Sequence, residues 1–126
     1  MDLNKYTQKS REAISNSQNV AARYYHQEIS GKHLFYALLD QENGLIPRLL
    51  EHAGHDPEDI KRQVISLLQK APAVHGYEGV LPASNVLVRV LGRAENEARD
   101  MRDEYVSVEH LLLGLLAEGE YELKTL

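Results

Sequence analysis

Small and apolar residues stand at Ser10, Ile14, Ser17, Ala21 and Tyr24, and again at Leu87, Leu91, Ala94, Ala98 and Met101. Alternating steps of four and three place each set on one face of an α-helix. A hydroxyl residue precedes each set, Thr7 in one case and Ser84 in the other, suited to accept from an orphan N–H of the first turn. A second helix is predicted after each of these, starting at Ser30 or Ser107. Ile29 or Val106 stands just before the cap and Leu34 or Leu111 four residues into the helix, the arrangement of a hydrophobic staple. The apolar stripe Leu34, Phe35, Leu38, Leu39 is matched by Leu111, Leu112, Leu115, Leu116.

One offset of 77 positions relates all these pairs without a gap, from Thr7/Ser84 to Gln41/Glu118. Asn19/Asn96, Ala21/Ala98, Ser30/Ser107, His33/His110, Leu34/Leu111, Leu38/Leu115 and Leu39/Leu116 are identical. The chain is therefore read as an internal repeat. The first unit continues with Ile46, Leu49, Leu50 and Ala53 at helical spacing, closed by Gly54. Asp56-Pro57-Glu58-Asp59 then opens a fourth helix carrying Ile60, Val64, Leu67 and Leu68. Ala71 to Ala83, with two prolines and two glycines, has no period. The predicted fold is all-α, with two pseudo-twofold-related four-helix repeats in one domain spanning 1–126. Repeat one covers about 5–71, a linker about 72–83, and a truncated second repeat about 84–126.

Composition narrows the function classes. The 126 residues suit one domain, and 43% hydrophobic with 26% charged residues excludes a disordered chain. A net charge of -5 with no Lys/Arg block argues against nucleic acid and anionic membranes as partners. No cysteine is present, so disulfides, thiolate nucleophiles and Cys-based zinc sites fall away. A start of Met1-Asp2-Leu3-Asn4 lacks a signal-peptide pattern, and a cytoplasmic location is expected.

Chemistry-bearing residues are few. His33 and His110 occupy the third position of equivalent helices, where a neutral imidazole can serve the N-cap backbone. His52 and His55, beside Glu51 and Asp56, make the one metal-like cluster, but a zinc site needs three or four convergent ligands and none is expected. Glu95, Glu97, Asp100, Asp103 and Glu104 read first as a solvated helix face. No nucleophile elbow accompanies the serines, so no catalytic residue is assigned. Val86 and Val90 form an additional apolar pair on the flank of the fifth helix, where the first repeat has Lys9 and Ala13. That excess points to a groove wall or to a contact with the linker.

Tyr6-Thr7-Gln8-Lys9-Ser10, Gly44-Leu45-Ile46-Pro47-Arg48-Leu49-Leu50 and Tyr105-Val106-Ser107-Val108-Glu109-His110-Leu111 together resemble the N-terminal domain of Clp AAA+ unfoldases, closest to the ClpB-type disaggregases. The resemblance covers essentially the whole chain. It implies a module that binds unfolded or aggregated polypeptides, or an adaptor protein in the protease-associated branch, ahead of a hexameric motor. ATP and Mg belong only to the motor modules. Gly31-Lys32 is followed by His33 and lacks the phosphate-loop spacing, so no cofactor is expected here. The resemblance places Thr7, Asp103 and Glu109 around the mouth of a substrate-contacting groove between the repeats, with Val86 and Val90 added from the residues themselves. Glu109 also has an ordinary reading as an acid favoured by the helix dipole. Relatives that recognise phosphorylated arginine carry acids at both equivalent positions. Lys32 departs from that pattern and favours the disaggregase branch.

Overall fold

The computed structural model describes residues 2–76 and 79–118. Helices in that span are α1 (Gln8–Arg23), α2 (Gly31–Leu39), α3 (Leu45–His52), α4 (Pro57–Lys70), α5 (Asn85–Asp100) and α6 (Val108–Glu118). A short 3₁₀ turn, Leu3–Lys5, leads into α1. The described residues form no strand, only the isolated parallel bridges Tyr6–Val106 and Ile29–Ala83. Of the truncated second repeat read over about 84–126, residues 119–126 lie outside the described residues.

The helix limits follow the caps. Thr7 accepts from the Ser10 N–H, Ser84 from the Leu87 N–H and Asp56 from the Glu58 N–H, each satisfying a donor of the first turn. Both α1 and α5 end the same way. Tyr25 and Arg102, 77 positions apart, adopt left-handed φ of 58° and 59°. The next N–H, from His26 or Asp103, returns to the carbonyl of Ala21 or Ala98, satisfying an otherwise orphaned carbonyl. α3 gives way to Gly54 at φ 90°, a conformation that costs glycine little.

The symmetry is explicit in the backbone. Tyr6 and Ile29 belong to the first repeat, and adding 77 to each gives Ala83 and Val106, their partners in swapped order. A contact of i with j′ alongside one of j with i′ is the mark of a twofold relation. Its hydrogen bonds repeat as well: Thr7 N–H donates to the Val106 carbonyl at 2.9 Å, and Ser84 N–H to the Ile29 carbonyl at 2.8 Å.

Packing departs from the expected stripes. On α1 the buried residues are Ser10, Ala13, Ser17, Val20 and Ala21, while Ile14 is only partly buried. On α5 they are Leu87, Val90, Leu91, Ala94 and Ala98, and Met101 is exposed. The buried face is thus broader than one stripe, because α1 meets both α2 and α6, and α5 meets α6 along its length as well as α2. Ser10 fits among apolar neighbours because its hydroxyl donates to the Val106 carbonyl at 2.9 Å. α2 is the centre of the fold: all its residues but Lys32 are buried, against α1, α3 and α4.

Val90 requires a correction. It is not a flank residue but is fully buried, as is its counterpart Ala13. The reason lies on α6, where Gly114 brings the helices so close that a Cβ there would stand 2.5 Å from the Val90 carbonyl oxygen. A side chain sealed under that crossing cannot wall an open groove. Val86, one turn earlier, is partly buried and borders a cavity.

Candidate functional site

Each of the two inter-repeat crossings, Tyr6–Val106 and Ile29–Ala83, borders a cleft. In the first, the backbone of Lys5, Tyr6 and Thr7 runs beside Val106, with Val106 N–H donating to the Lys5 carbonyl at 2.8 Å. A cleft of about 250 Å³ opens there, lined by Lys5, Glu95, Arg99, Asp103, Glu104 and Val106 among others. Tyr6 anchors it. Its ring is buried and its hydroxyl donates to Glu95 Oε2 at 3.0 Å. Burial, reinforced by that carboxylate, pushes the phenol well above its ordinary pKa.

Thr7, Asp103 and Glu109 all fall at this junction or on the helix start beside it. Thr7 is half-buried and occupied as the α1 cap, and its hydroxyl also meets Ser10 Oγ at 2.8 Å. Asp103 is exposed and accepts from His110 Nε2 at 2.9 Å. His110 in turn accepts the Ser107 N–H on Nδ1 at 2.9 Å, capping α6 from its third position. Glu109 is exposed in the first turn of α6, next to that imidazole. The result is an acidic cleft of Glu95, Asp103 and Glu104, tempered by Lys5 and Arg99, beside backbone that already makes inter-repeat hydrogen bonds, with Glu109 exposed three residues beyond Val106. Such a cleft can accept hydrogen bonds from backbone N–H groups and attract Lys or Arg.

Val86 lies elsewhere. It borders the second cleft, about 370 Å³, together with His26, Glu28, Lys32, His33, Pro72 and Ser84. The valine pair predicted as one wall is therefore divided: Val90 is in the core and Val86 belongs to the opposite junction.

At that opposite junction Lys32 stands where Glu109 stands in the other, and His26 where Asp103 stands. His33 keeps the role of His110, accepting the Ser30 N–H on Nδ1 at 2.8 Å. Its Nε2, however, meets His26 Nδ1 at 2.7 Å, and His26 Nε2 reaches the Leu68 carbonyl at 3.1 Å. Burial, with His26 and Lys32 nearby, pulls the His33 pKa down to about 3. His26 is also shifted downward, again chiefly by burial, against the opposing hydrogen bond to Leu68. Sequence reasoning singled out His33 and His110 but not His26. The signal was there: His26 and Asp103 each precede their histidine by seven residues and are 77 positions apart.

His52, His55, Glu51 and Asp56 are exposed around the α3–α4 turn. Among the described residues no group of three or more His, Asp or Glu side chains is arranged to hold a metal ion. No helix of the described residues is long and apolar enough to cross a membrane.

Residues 5–126 match the Clp repeat (R) N-terminal domain family. A chaperone protein ClpB from Nitratidesulfovibrio vulgaris is 45% identical over 121 residues, covering 94% of this chain and 14% of the relative. The chain thus spans about one seventh of the length of that relative. Among solved structures, the Hsp104 N-terminal domain from Candida albicans aligns with a TM-score of 0.83 at 23% identity, covering 90% of this chain and 75% of that one. A complex of a ClpV N-domain with a VipB peptide aligns with a TM-score of 0.79 at 18% identity, covering 98% and 78%. At these identities the two structures speak for the fold alone.

Proposed function

We propose, from the fact that this chain belongs to the Clp repeat N-terminal domain family, that it is the client-engaging N-terminal module of a ClpB-type disaggregase. It has no catalysis of its own in this reading: nucleotide chemistry resides in the motor modules of the longer parent. The observation that carries the reading is the acidic cleft beside the Tyr6–Val106 bridge, lined by Glu95, Asp103 and Glu104, with exposed Glu109 three residues beyond Val106 at the start of α6. A client segment there gains charge-assisted hydrogen bonds from its own N–H groups and basic side chains. Its affinity stays modest because the cleft is solvated and screened by salt. Weak, sequence-tolerant contact suits a module that samples and releases. That a ClpV N-domain has been captured with a peptide is consistent with peptide engagement on this fold.

The test is a titration of a permanently unfolded, fluorescently labelled polypeptide with the parent chain and with Glu109→Ala. We expect Glu109→Ala to weaken binding about threefold to tenfold at low salt, corresponding to roughly 1 kcal/mol. Unaltered binding would overturn the site. Binding only to a folded adaptor, with none to unfolded polypeptide, would favour the adaptor-docking alternative of the protease-associated branch.

A further inference from the structure

The two histidines that cap α2 and α6 are held by different partners, and the difference reaches across the fold. At α6 the chain of hydrogen bonds is local: Ser107 N–H to His110 Nδ1, and His110 Nε2–H to the exposed Asp103 carboxylate. At α2 it is long-range. The Ser30 N–H fixes His33 Nδ1 as an acceptor, so His33 Nε2–H donates to His26 Nδ1 and His26 Nε2–H donates to the Leu68 carbonyl. Both imidazoles are buried, and the chain joins the start of α2 to the last turn of α4.

We propose that His33, His26 and the Leu68 carbonyl form an acid-sensitive latch that fastens the end of α4, and the inter-repeat segment leaving it, to the start of α2. In the neutral chain every ring nitrogen has a fixed role. An added proton on either Nδ1 faces an N–H that already points at it, so protonating the pair breaks one of its bonds. The surroundings favour the neutral form. Lys32 is the cation of α2 acting on both rings, Tyr24 at the end of α1 stacks on His26 with ring centroids 5.9 Å apart, and α4 supplies a carbonyl rather than a carboxylate. Among the described residues, Val86 of α5 and its cap Ser84 border the same cavity, and Glu28 is the one carboxylate lining it. In the second repeat the corresponding chain ends on the exposed Asp103 carboxylate seven residues before His110 and ties no further helix. Acid therefore unfastens a long-range connection, α2 to α4, for which the His110 chain has no counterpart.

Amide hydrogen exchange on the whole 126-residue chain, corrected for intrinsic rates, tests this between pH 7 and pH 4. The expected result is at least a tenfold faster exchange in the last turn of α4 together with the first turn of α2, with the middle of α5 unaffected. His26→Asp, which removes the ring that reaches the Leu68 carbonyl, is expected to exchange fast in the last turn of α4 already at pH 7 and to show no further acid acceleration there. No acceleration in the last turn of α4, equal acceleration in the middle of α5, or an identical profile in His26→Asp would overturn the latch. Should that variant fail to fold, imidazole ¹⁵N spectra of the parent chain decide. His26 and His33 must keep their Nε2–H tautomers in the folded state well below pH 6.5 while exchange at the end of α4 rises. Rings that titrate near 6.5 as exposed histidines do, or that carry their proton on Nδ1 at pH 7, contradict the proposal.

Discussion

On α2, Tyr36 and Leu39 are 8% and 6% exposed; on α6 their counterparts Leu113 and Leu116 are 40% and 55% exposed. The two helices share a cap, a staple and an apolar stripe, so the difference does not originate in their own sequences. It comes from what folds over them. In the first repeat α3 and α4 both pack on α2. Among the described residues α6 meets α5 along its length and touches only parts of α1, α2 and α3. A repeated sequence pattern therefore fixes helix ends and the face toward the twofold partner. The outer face is decided by neighbours that the pattern does not contain.

The largest contrast should come from deleting the two leucines. Leu39→Ala removes a buried side chain and is expected to lower unfolding free energy by about 2–4 kcal/mol, whereas Leu116→Ala should change it by less than about 1 kcal/mol. Urea unfolding of both variants makes the comparison, and equal losses would break it. Val90→Ser belongs with the first class, because it opens space and places a hydroxyl under the α5–α6 crossing. Its expected loss is about 2–3 kcal/mol, seen as unfolding and not as a selective binding defect.

Acid gives the next contrast. His33 has a folded pKa near 3 against an unfolded value of about 6.5, so between those values the unfolded chain binds the extra proton. Stability should be level above about pH 6.5 and fall below it by at most about 1.4 kcal/mol per pH unit, levelling near pH 3. Urea midpoints from pH 7.5 to pH 4 check this, and a flat profile would contradict it.

A smaller effect distinguishes Gly114 from its counterpart Ala37. Gly114→Ala must push against the Val90 carbonyl oxygen and is expected to cost about 1–3 kcal/mol, although alanine is the better helix former. Ala37→Gly should cost only about 1 kcal/mol. The cap variants Thr7→Ala and Ser84→Ala should be the mildest and the most alike, each losing about 1 kcal/mol in thermal unfolding.

The parts legible in the sequence are those set by neighbours in the chain. Thr7, Ser84 and Asp56 announce helix starts through chemistry within three residues, and the offset of 77 carries over to the swapped bridges Tyr6–Val106 and Ile29–Ala83. Val90 was misplaced because its burial depends on a helix crossing governed by a glycine 24 positions away. Val86 was assigned to the wrong junction for a related reason: a flank has a direction only once its neighbours are fixed. His26 escaped notice because a histidine beyond a helix end reads as an ordinary turn residue. Its meaning appears when the turn brings it against His33 and the end of α4. Glu109 needed the family resemblance, since an acid in a first helical turn has a sufficient local explanation in the dipole.

The claim that the two junctions differ in function as they differ in charge is tested most directly by mapping amide shifts on adding an unfolded polypeptide at low ionic strength. The account predicts shifts concentrated at residues 5–7 and 103–109, fading as salt is raised, with residues 26–33 and 82–86 little affected. Shifts distributed equally over both junctions, or confined to 26–33 and 82–86, would contradict it.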